Sequence, residues 1–553
     1  MKLLRFLLLV CLPVLLIGPA IAQPLHTSRL QLPEQMDGLL TVRSVDFWKQ
    51  QLQQPVWKSL SNRYQLAQLL EQAKFSQTVK NVSKPVGEAL QLTDEQLLEA
   101  ISPADVSVGF ALTMPNLIDP IIVLEYPNAR LAQKSARQLF GALISERSFT
   151  AGTPHTLKVT ENISIQVLLN QSVLLCTRTP EQMELALKLN PQLGVRHTQI
   201  HATGDLSELP SADWGDTQAT DHFSLQLKLP SGWLENLAGA KRPADPGKRF
   251  FHDRMNGLRH CTLAASLSGS QCRMRVDLLQ QPLGQFRSPQ PPAMEEPTED
   301  PSEPLLLLLG GMLNLDLLQQ WFEELESHPD DDLKMLHQVV GNLLGTDRPV
   351  EELKQALGEN WQLQLVEQKQ DQAPLPVAMD LMIARSSSGE DSAINSATWD
   401  GLMSQLAGLM VVAGQQAKPA IDLQVKRDWD LQQQSLQTFV VGNPFYQVAA
   451  LVSPLSVQIS WGREDIAPQA PQNFSADGIM QVQFTRIANL LNQHHQGLAD
   501  KISQFTRQET EATNSRLERL AALIKPLGVF QSQWIVREQG VRFEAQLSPS
   551  LSR

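Results

Sequence analysis

The sequence lacks the short motifs by which many enzymes are recognised. Its 553 residues contain no Gly-x-Ser-x-Gly turn, no Gly-x-x-x-x-Gly-Lys loop, no Gly-x-Gly-x-x-Gly and no His-Glu-x-x-His. These spacings build a nucleophile turn, a phosphate cradle, a dinucleotide site and a zinc site. Their absence argues against the common hydrolases, nucleotide-binding proteins and zinc proteases, but not against a site assembled from distant residues. We predict no cofactor and no metal site.

Cysteine is scarce, with four in the whole chain. No Cys-x-x-Cys occurs, which argues against thiol redox chemistry and a cysteine zinc site. Cys261 and Cys272 lie on two apolar runs that we expect to form a hairpin turning near Ser268–Ser270. In the register that this turn gives, the two residues are not directly opposite, so a Cys261–Cys272 disulfide requires a bulge or a different turn. Two unreactive thiols are the alternative.

The chain has fewer basic than acidic residues. The chain has 46 Lys and Arg against 58 Asp and Glu, a net charge of −12, and no long basic run. Binding to nucleic acid or to an anionic membrane surface depends on Lys and Arg that displace counterions. We therefore predict neither kind of partner.

Only the N-terminus has a hydrophobic run of the export type. Lys2 and Arg5 precede an apolar stretch, and an Ala20-Ile21-Ala22 site ends the segment. A positive start, a short apolar core and an Ala-x-Ala site are typical of a cleavable signal peptide. We predict residues 1–22 as this signal, with cleavage between Ala22 and Gln23 and a periplasmic or secreted location for the mature chain.

Two alternatives to a cleaved signal are weaker. A membrane anchor needs about 20 apolar residues, and Pro13 and Gly18 interrupt this shorter run. A lipoprotein is disfavoured because Cys11 lies too early, inside the apolar core. The next apolar run, Leu305–Leu313, is about half the spanning length and is better explained as a buried strand. We predict no transmembrane segment after signal cleavage.

A proline- and acid-rich segment divides the mature chain. Residues 284–304 read GQFRSPQPPAMEEPTEDPSEP, a composition that favours an extended linker. We predict a first domain at residues 23–283, this linker, a second domain at residues 305–548 and a tail at residues 549–553. The two flanks repeat one order of patterns. Each begins with an apolar strand and a tryptophan-bearing helix and ends with a pair of strands, so we predict an internal duplication.

Strand and helix patterns indicate an α+β fold with two tandem, duplicated domains. Strands such as Phe223–Leu229 alternate apolar and polar residues, which predicts one buried and one wet face. We therefore expect mainly antiparallel sheets packed against helices on one side. A long helix is predicted from about Thr485 to Lys525, broken or exposed between Thr506 and Arg516 and stopped by Pro526.

A few residue groups have the chemistry of sites. Adjacent helix residues point about 100° apart, so His494 and His495 favour a polar helix face over a metal site. Asp330–Asp332 lack calcium-loop spacing and favour a helix start, and Cys176 favours a buried thiol over a nucleophile. Several tryptophans recur at element starts, where core anchors are expected and a sugar-binding platform is the alternative: Trp48, Trp57, Trp233, Trp321, Trp361 and Trp399.

Over most of the mature chain, the layout resembles an exported bacterial family classed as a domain of unknown function, and two runs carry the likeness. The first is Ser44–Leu52, an apolar strand leading into a helix of the Val-Asp-Phe-Trp-Lys type. The second is Ile163–Leu187, a strand, a turn and a strand that pass through Thr179-Pro180-Glu181 into a helix. The second half departs here, since Val452–Gly462 has no comparable helix after it. The resemblance implies export, and it brings no activity or site residue.

The sequence therefore favours a non-enzymatic envelope protein that binds another protein, a lipid or a surface polymer. Export, duplication and the missing motifs support this prediction. One alternative is an envelope hydrolase with a distributed pair of carboxylates. The other is a periplasmic lipid carrier.

Overall fold

The fold is that of a computed structural model. It describes residues 36–65, 84, 86–111, 118–143, 152–159, 164–190, 222–229, 232–233, 241–242, 252–253, 255–268, 270–280, 305–313, 319, 357–368, 376–385, 408, 411–412, 415, 424–430, 435–441, 448–453, 455–462, 469–506, 509–537 and 540–550. The predicted signal peptide, its cleavage site at Ala22 and Gln23, and the predicted linker at 284–304 lie outside these residues. Within them, every helix is too short or too polar to cross a bilayer.

The chain divides into two compact units. Unit 1 comprises Met1–Arg242, Phe251–Arg287 and Gln539–Glu544, and unit 2 comprises Pro243–Phe250, Ser288–Glu538 and Ala545–Arg553. The main division, after Arg287, falls inside the predicted linker. Two short segments depart from the single boundary that the sequence predicted. Pro243–Phe250 precedes the linker but belongs to unit 2, and Gln539–Glu544 follows the linker but belongs to unit 1.

The architecture is α+β and is dominated by antiparallel sheet. The described helices are α1 (Val45–Leu52), α2 (Pro55–Arg63), α3 (Asp94–Ile101), α4 (Ala129–Phe140), α5 (Pro180–Leu189), α6 (Phe484–Thr506) and α7 (Thr510–Ile524). The strands of the first half are β1 (Gly38–Val42), β2 (Asp105–Ala111), β3 (Ile118–Glu125), β4 (His155–Lys158), β5 (Ser164–Asn170), β6 (Val173–Thr177), β7 (Phe223–Lys228), β8 (His260–Ser268) and β9 (Gln271–Leu279). Those of the second half are β10 (Leu305–Met312), β11 (Leu357–Glu367), β12 (Val377–Arg385), β13 (Gln424–Asp430), β14 (Ser435–Val441), β15 (Val448–Val452), β16 (Ser456–Trp461), β17 (Gly478–Gln483), β18 (Val529–Arg537) and β19 (Gly540–Ser548).

In unit 1, antiparallel pairings give the strand order β9-β8-β7-β1-β2-β3-β6-β5-β4. In unit 2 they give β18-β17-β10-β11-β12-β16-β15-β14-β13. In each unit, the first strand lies between the second strand and a strand from late in the unit. Around its first strand, unit 2 therefore shares the order of pairings found in unit 1, although three strands precede β1 and two precede β10 in these orders.

Helices α3 and α4 cover one face of the unit 1 sheet. Ala100 on α3 and Ala136 on α4 are fully buried in one apolar cluster with Val167 and Leu174 of the sheet. Both helices begin at side-chain caps. Thr93 forms a reciprocal capping box with Gln96, and Asn128 caps α4.

The opposite face of the same sheet is covered by α5. Met183 and Ala186 of α5 are buried against Leu168 and Leu175, which alternate along β5 and β6 with the residues of the first cluster. The expectation of helices on one side only was therefore wrong for unit 1. The expected wet face was also wrong on β7, because Ser224 and Gln226 are buried there along with the apolar residues between them.

Helices α6 and α7 of unit 2 occupy the predicted long helical segment. The segment is broken, as predicted, because α6 ends at Thr506 and α7 begins at Thr510. A 3₁₀ turn at Lys525–Leu527, which contains Pro526, ends the segment before β18. The two helices pack against each other, with Ala499 of α6 and Ala521 of α7 fully buried.

The β8–β9 hairpin excludes the Cys261–Cys272 disulfide. Cys261 lies opposite Leu278, whereas Cys272 lies opposite Leu267, six residues farther along β8. Six residues of strand span about 20 Å, whereas a disulfide joins Cα atoms less than about 7 Å apart. The expected offset is confirmed, and the register leaves no route for the bridge.

The first core cluster gives a stability prediction. Leu174 is 0% exposed, whereas Leu98 on α3 is 51% exposed. We expect Leu174→Ala to lower the free energy of unfolding by about 2–5 kcal/mol, because it leaves a cavity between sheet and helices. Leu98→Ala, the matched control, changes it by less than about 0.5 kcal/mol. Urea unfolding measures both, and equal effects would contradict the assigned core.

Candidate interaction site

Polar side chains line one face of the unit 2 sheet and are nevertheless buried. Gln364 of β11 lies opposite Asp380 of β12, which lies opposite Ser460 of β16. Gln362 lies two residues before Gln364 on β11, and Gln458 lies two residues before Ser460 on β16, so both lie on this same face. Gln362, Asp380, Gln458 and Ser460 are all at most 7% exposed. The sequence rule that polar alternation marks a wet face fails here.

Hydrogen bonds link these side chains across the strands. The Ser460 hydroxyl donates to Asp380 Oδ1 at 2.5 Å, and Gln364 Nε2 donates to Asp380 Oδ2 at 3.3 Å. Gln362 Nε2 in turn donates to Gln364 Oε1 at 3.1 Å. Neighbouring side chains orient the amide groups of both Gln362 and Gln364. The side-chain carbonyl oxygen of Gln362 is therefore a fixed hydrogen-bond acceptor.

An extended segment, Gln469–Phe474, crosses this polar face, and we call it the strap. The Gln472 backbone N–H donates to Gln362 Oε1 at 2.9 Å. The Phe474 backbone N–H donates to Asn360 Oδ1 at 3.0 Å. The Gln469 carbonyl accepts from the Ser456 hydroxyl and from Gln458 Nε2. The strap is therefore held mainly by its main chain.

One aromatic ring anchors the end of the strap. A Cβ added at Gly310 of β10 would lie 2.7 Å from two ring atoms of Phe474. The ring therefore occupies a space that exists because residue 310 has no side chain, and we call this space the notch. This notch lies on the polar face, since Gly310 is opposite Gln362.

The polar side chains beneath the strap provide the partners that its backbone requires. A helix satisfies its own backbone groups, so α5 can pack on the apolar Leu168 and Leu175 of unit 1. An extended strap has no internal partners, and a buried unpaired backbone group costs roughly as much as a lost hydrogen bond. The glutamine, serine and asparagine side chains of unit 2 supply those partners.

The other face of β16 carries an apolar row. Leu455, Val457, Ile459 and Trp461 alternate with the polar residues. Val457 at the centre is 2% exposed, whereas Leu455 and Trp461 at the two ends are 57% and 40% exposed. The sheet therefore presents a leucine and a tryptophan to solvent while it buries its polar residues.

Unit 1 buries a charged group at the start of α1. Asp105 Oδ1 accepts from the Ser44 backbone N–H at 2.8 Å, and its Oδ2 lies 3.4 Å from Arg43 Nη1. Burial raises the pKa of Asp105, and Arg43 and the Ser44 amide oppose the rise. Ser44 also caps α1. This ion pair fixes the junction between β1 and α1 and is a structural element.

His222 packs beside this ion pair. Its Nδ1 accepts from the Leu267 backbone N–H at 3.0 Å, and its ring lies 4.7 Å from the Phe47 ring. Arg43 stacks over the same Phe47 ring at 5.2 Å. Burial lowers the pKa of His222 from 6.5 to about 4, and the Arg43 charge acts in the same direction. A neutral imidazole is therefore part of the fold at neutral pH.

The described residues include three buried aspartates, and each is engaged. Asp105 binds Ser44 and Arg43, and Asp380 binds Ser460 and Gln364. Asp277 is 0% exposed, and in unit 1 its Oδ1 accepts from Arg542 Nε at 2.6 Å. Fixed donors that neutralise a carboxylate favour a structural role over acid–base catalysis.

The residues singled out in the sequence do not form one site. His495 lies on α6, where its Nε2 is 3.5 Å from Glu518 Oε1 of α7, and His494 is exposed. Burial raises the pKa of the Cys176 thiol to about 12, as it does for Cys272, so both thiols are protonated. Within the described residues, His, Cys, Asp and Glu side chains nowhere cluster as a metal site.

The predicted tryptophan anchors are confirmed in part. Trp57 is 1% exposed and Trp48 is buried. Trp233 donates its indole N–H to the Met255 carbonyl. Trp321, Trp399 and Asp330–Asp332 lie outside the described residues. Sequence reasoning missed Gln362, Asp380 and Ser460, and the signal available was a run of Gln and Ser at alternate positions in otherwise apolar strands.

Comparisons with known proteins add little. No family model matches the chain, and no curated protein matches it. One solved structure, described as crystal form III of TP0453, is 9% identical and covers 48% of this chain and 79% of its own, with a TM-score of 0.21. A likeness of that size supports no argument about fold or function. The resemblance to an exported family stays a prediction.

Asp380 accepts hydrogen bonds from both Ser460 and Gln364. We expect Asp380→Ala to lower the free energy of unfolding by about 1.5–3 kcal/mol, because it leaves the buried Ser460 hydroxyl and the half-buried Gln364 amide without their acceptor. Asp500→Ala, at an exposed position on α6, is the control. Chemical unfolding measures both, and an unchanged midpoint for Asp380→Ala would rule out the network as a source of stability.

His222 makes unit 1 sensitive to acid. Because its folded pKa is about 4, the unfolded chain binds more protons than the folded chain between that pH and 6.5. Its contribution to stability is therefore lost as the pH falls from 6.5 toward 4. His222→Asn keeps an acceptor for the Leu267 N–H and cannot titrate. The free energy of unfolding of this variant should therefore fall less steeply than that of the wild type as the pH is lowered across this range. Equal slopes for the two proteins would exclude this role.

Proposed function

We propose that the protein is an exported, non-enzymatic envelope protein that binds another protein. The observation that carries the proposal is the apolar row of β16, which ends in exposed Leu455 and Trp461. Exposed tryptophan and leucine next to buried apolar residues are typical of interfaces, where tryptophan contributes a large share of binding energy. Met379 of β12 lies opposite Trp461 and extends the same apolar surface.

The state of the reactive groups supports a binding role. The three buried aspartates are held by donors, the Cys176 and Cys272 thiols are protonated, and His222 is neutral and accepts a backbone hydrogen bond. These groups stabilise the fold. No specific observation favours the envelope hydrolase, whose distributed carboxylate pair is the alternative function from the sequence.

We also propose that the two units arose by duplication and that the mature chain begins at Gln23 in the periplasm or outside the cell. The shared order of strand pairings around the first strand of each unit supports the first proposal. The signal pattern at residues 1–22 supports the second.

Trp461→Ser tests the binding role directly. The full chain with a C-terminal tag is crosslinked in intact cells of its source and purified from the envelope fraction, and mass spectrometry identifies and quantifies what is attached. We expect a protein in fixed stoichiometry that is reduced about tenfold or more in Trp461→Ser, since loss of an interface anchor costs about 2 kcal/mol or more. Leu520→Ser, at a position 45% exposed on α7, is the matched control and retains the partner.

Three outcomes would contradict the proposal. Equal capture by Trp461→Ser and Leu520→Ser would exclude the β16 row as the interface. A lipid recovered in fixed stoichiometry in place of a protein would establish the carrier alternative. Release of sugars from envelope polymers by the purified chain would establish the hydrolase.

A further inference from the structure

The strap is bound by contacts that do not depend on most of its side chains. Four hydrogen bonds join the strands to strap main-chain atoms, and one joins Asn360 to the Asn473 side chain at 3.4 Å. Main-chain recognition of this kind accepts any segment with the same backbone path, as in other modes of extended-peptide binding. Side-chain selectivity is confined to Phe474 and to the shape of the chain.

The strap sequence sets that shape. Pro471 lies at its centre and has no N–H, so it leaves no buried donor unpaired. Proline also favours an extended conformation and reduces the entropy lost on binding. Three residues later, Phe474 fills the notch at Gly310. The face is therefore complementary to an extended segment with a proline and, three residues on, an aromatic residue.

The acceptors and donors of this face are oriented without the strap. Gln362 is held by Gln364, Gln364 by Asp380, and Asp380 by Ser460, all within β11, β12 and β16. Gln458 Nε2 also donates to the Ser456 hydroxyl at 3.0 Å. A surface whose polar groups are fixed by their neighbours keeps its geometry when the occupant leaves.

We propose that this face is a binding surface for an extended, proline-containing peptide with an aromatic residue three positions after the proline, and that the strap is its resident, exchangeable occupant. The proposal rests on the proposed protein-binding function and names the chemistry of a partner segment. It uses the polar side of β16, whereas Leu455 and Trp461 lie on the opposite side.

The strap competes with any external peptide. A tethered segment has an effective concentration in the millimolar range, so the intact protein binds a free peptide weakly. Weakening the strap without altering the strands removes this competition. Phe474→Ala empties the notch, and Gln472→Pro removes the N–H that Gln362 accepts.

The test uses the full chain and a fluorescent peptide that copies residues 467–476, APQAPQNFSA. Fluorescence anisotropy measures its binding to the wild type and to Phe474→Ala, and thermal unfolding checks that each protein is folded. We expect the peptide to bind Phe474→Ala about tenfold or more tightly than the wild type, the factor that one lost anchor provides. A peptide with its own phenylalanine replaced by alanine should bind neither protein.

A second pair of variants localises the binding. Added to Phe474→Ala, Gln362→Ala should lower affinity about tenfold, since it removes one hydrogen-bond acceptor. Gln496→Ala, exposed on α6, should leave affinity unchanged. If Phe474→Ala does not fold, Gln472→Pro replaces it as the host.

The proposal is overturned if the peptide binds neither folded strap variant, or if binding is insensitive to Gln362→Ala. Either result leaves the Trp461-dependent capture untouched, because that experiment probes the other face. Conversely, failure of the Trp461 experiment with peptide binding intact would reject the β16 interface and retain the peptide surface.

Discussion

The interaction on which the described part of unit 2 depends is the hydrogen bonding between sheet side chains and the strap backbone. The strap has neither helix nor strand pairing of its own, so the sheet beneath it supplies side-chain acceptors and donors. This requirement explains why Gln362, Ser456 and Gln458 are polar on the face beneath the strap, because each forms a hydrogen bond with a strap main-chain atom. In unit 1, helix α5 satisfies its own backbone and packs on Leu168 and Leu175, although Gln166 and Thr177 on the same face of β5 and β6 are also buried.

Periodicity was sufficient to predict where elements lie. The strand that opens each half, the strands that close it, and the break between α6 and α7 are all present. Alternation could not predict which face is buried, because burial depends on segments distant in sequence. Ser224 and Gln226 illustrate the point, since both are buried although they alternate with the apolar residues of β7.

The candidate site was beyond sequence reasoning for a related reason. A motif search favours residues with reactive side chains, and here those residues stabilise the fold. Asp105 is paired with Arg43, His222 accepts a backbone hydrogen bond, and Cys272 is protonated and far along its hairpin from Cys261. The residues of the two proposed surfaces are an exposed tryptophan and a row of amides, and a motif search does not select either type.

The most direct test of this account is amide hydrogen exchange at the strap, followed by mass spectrometry with residue-level fragmentation. The account predicts that the Gln472 and Phe474 amides are protected in the wild type, and that Gln362→Ala selectively exposes Gln472. The amides of α5, in the other unit, should exchange at unchanged rates. Exchange of the wild-type Gln472 and Phe474 amides at the rate of an unstructured peptide would contradict the claim that the sheet side chains hold the strap.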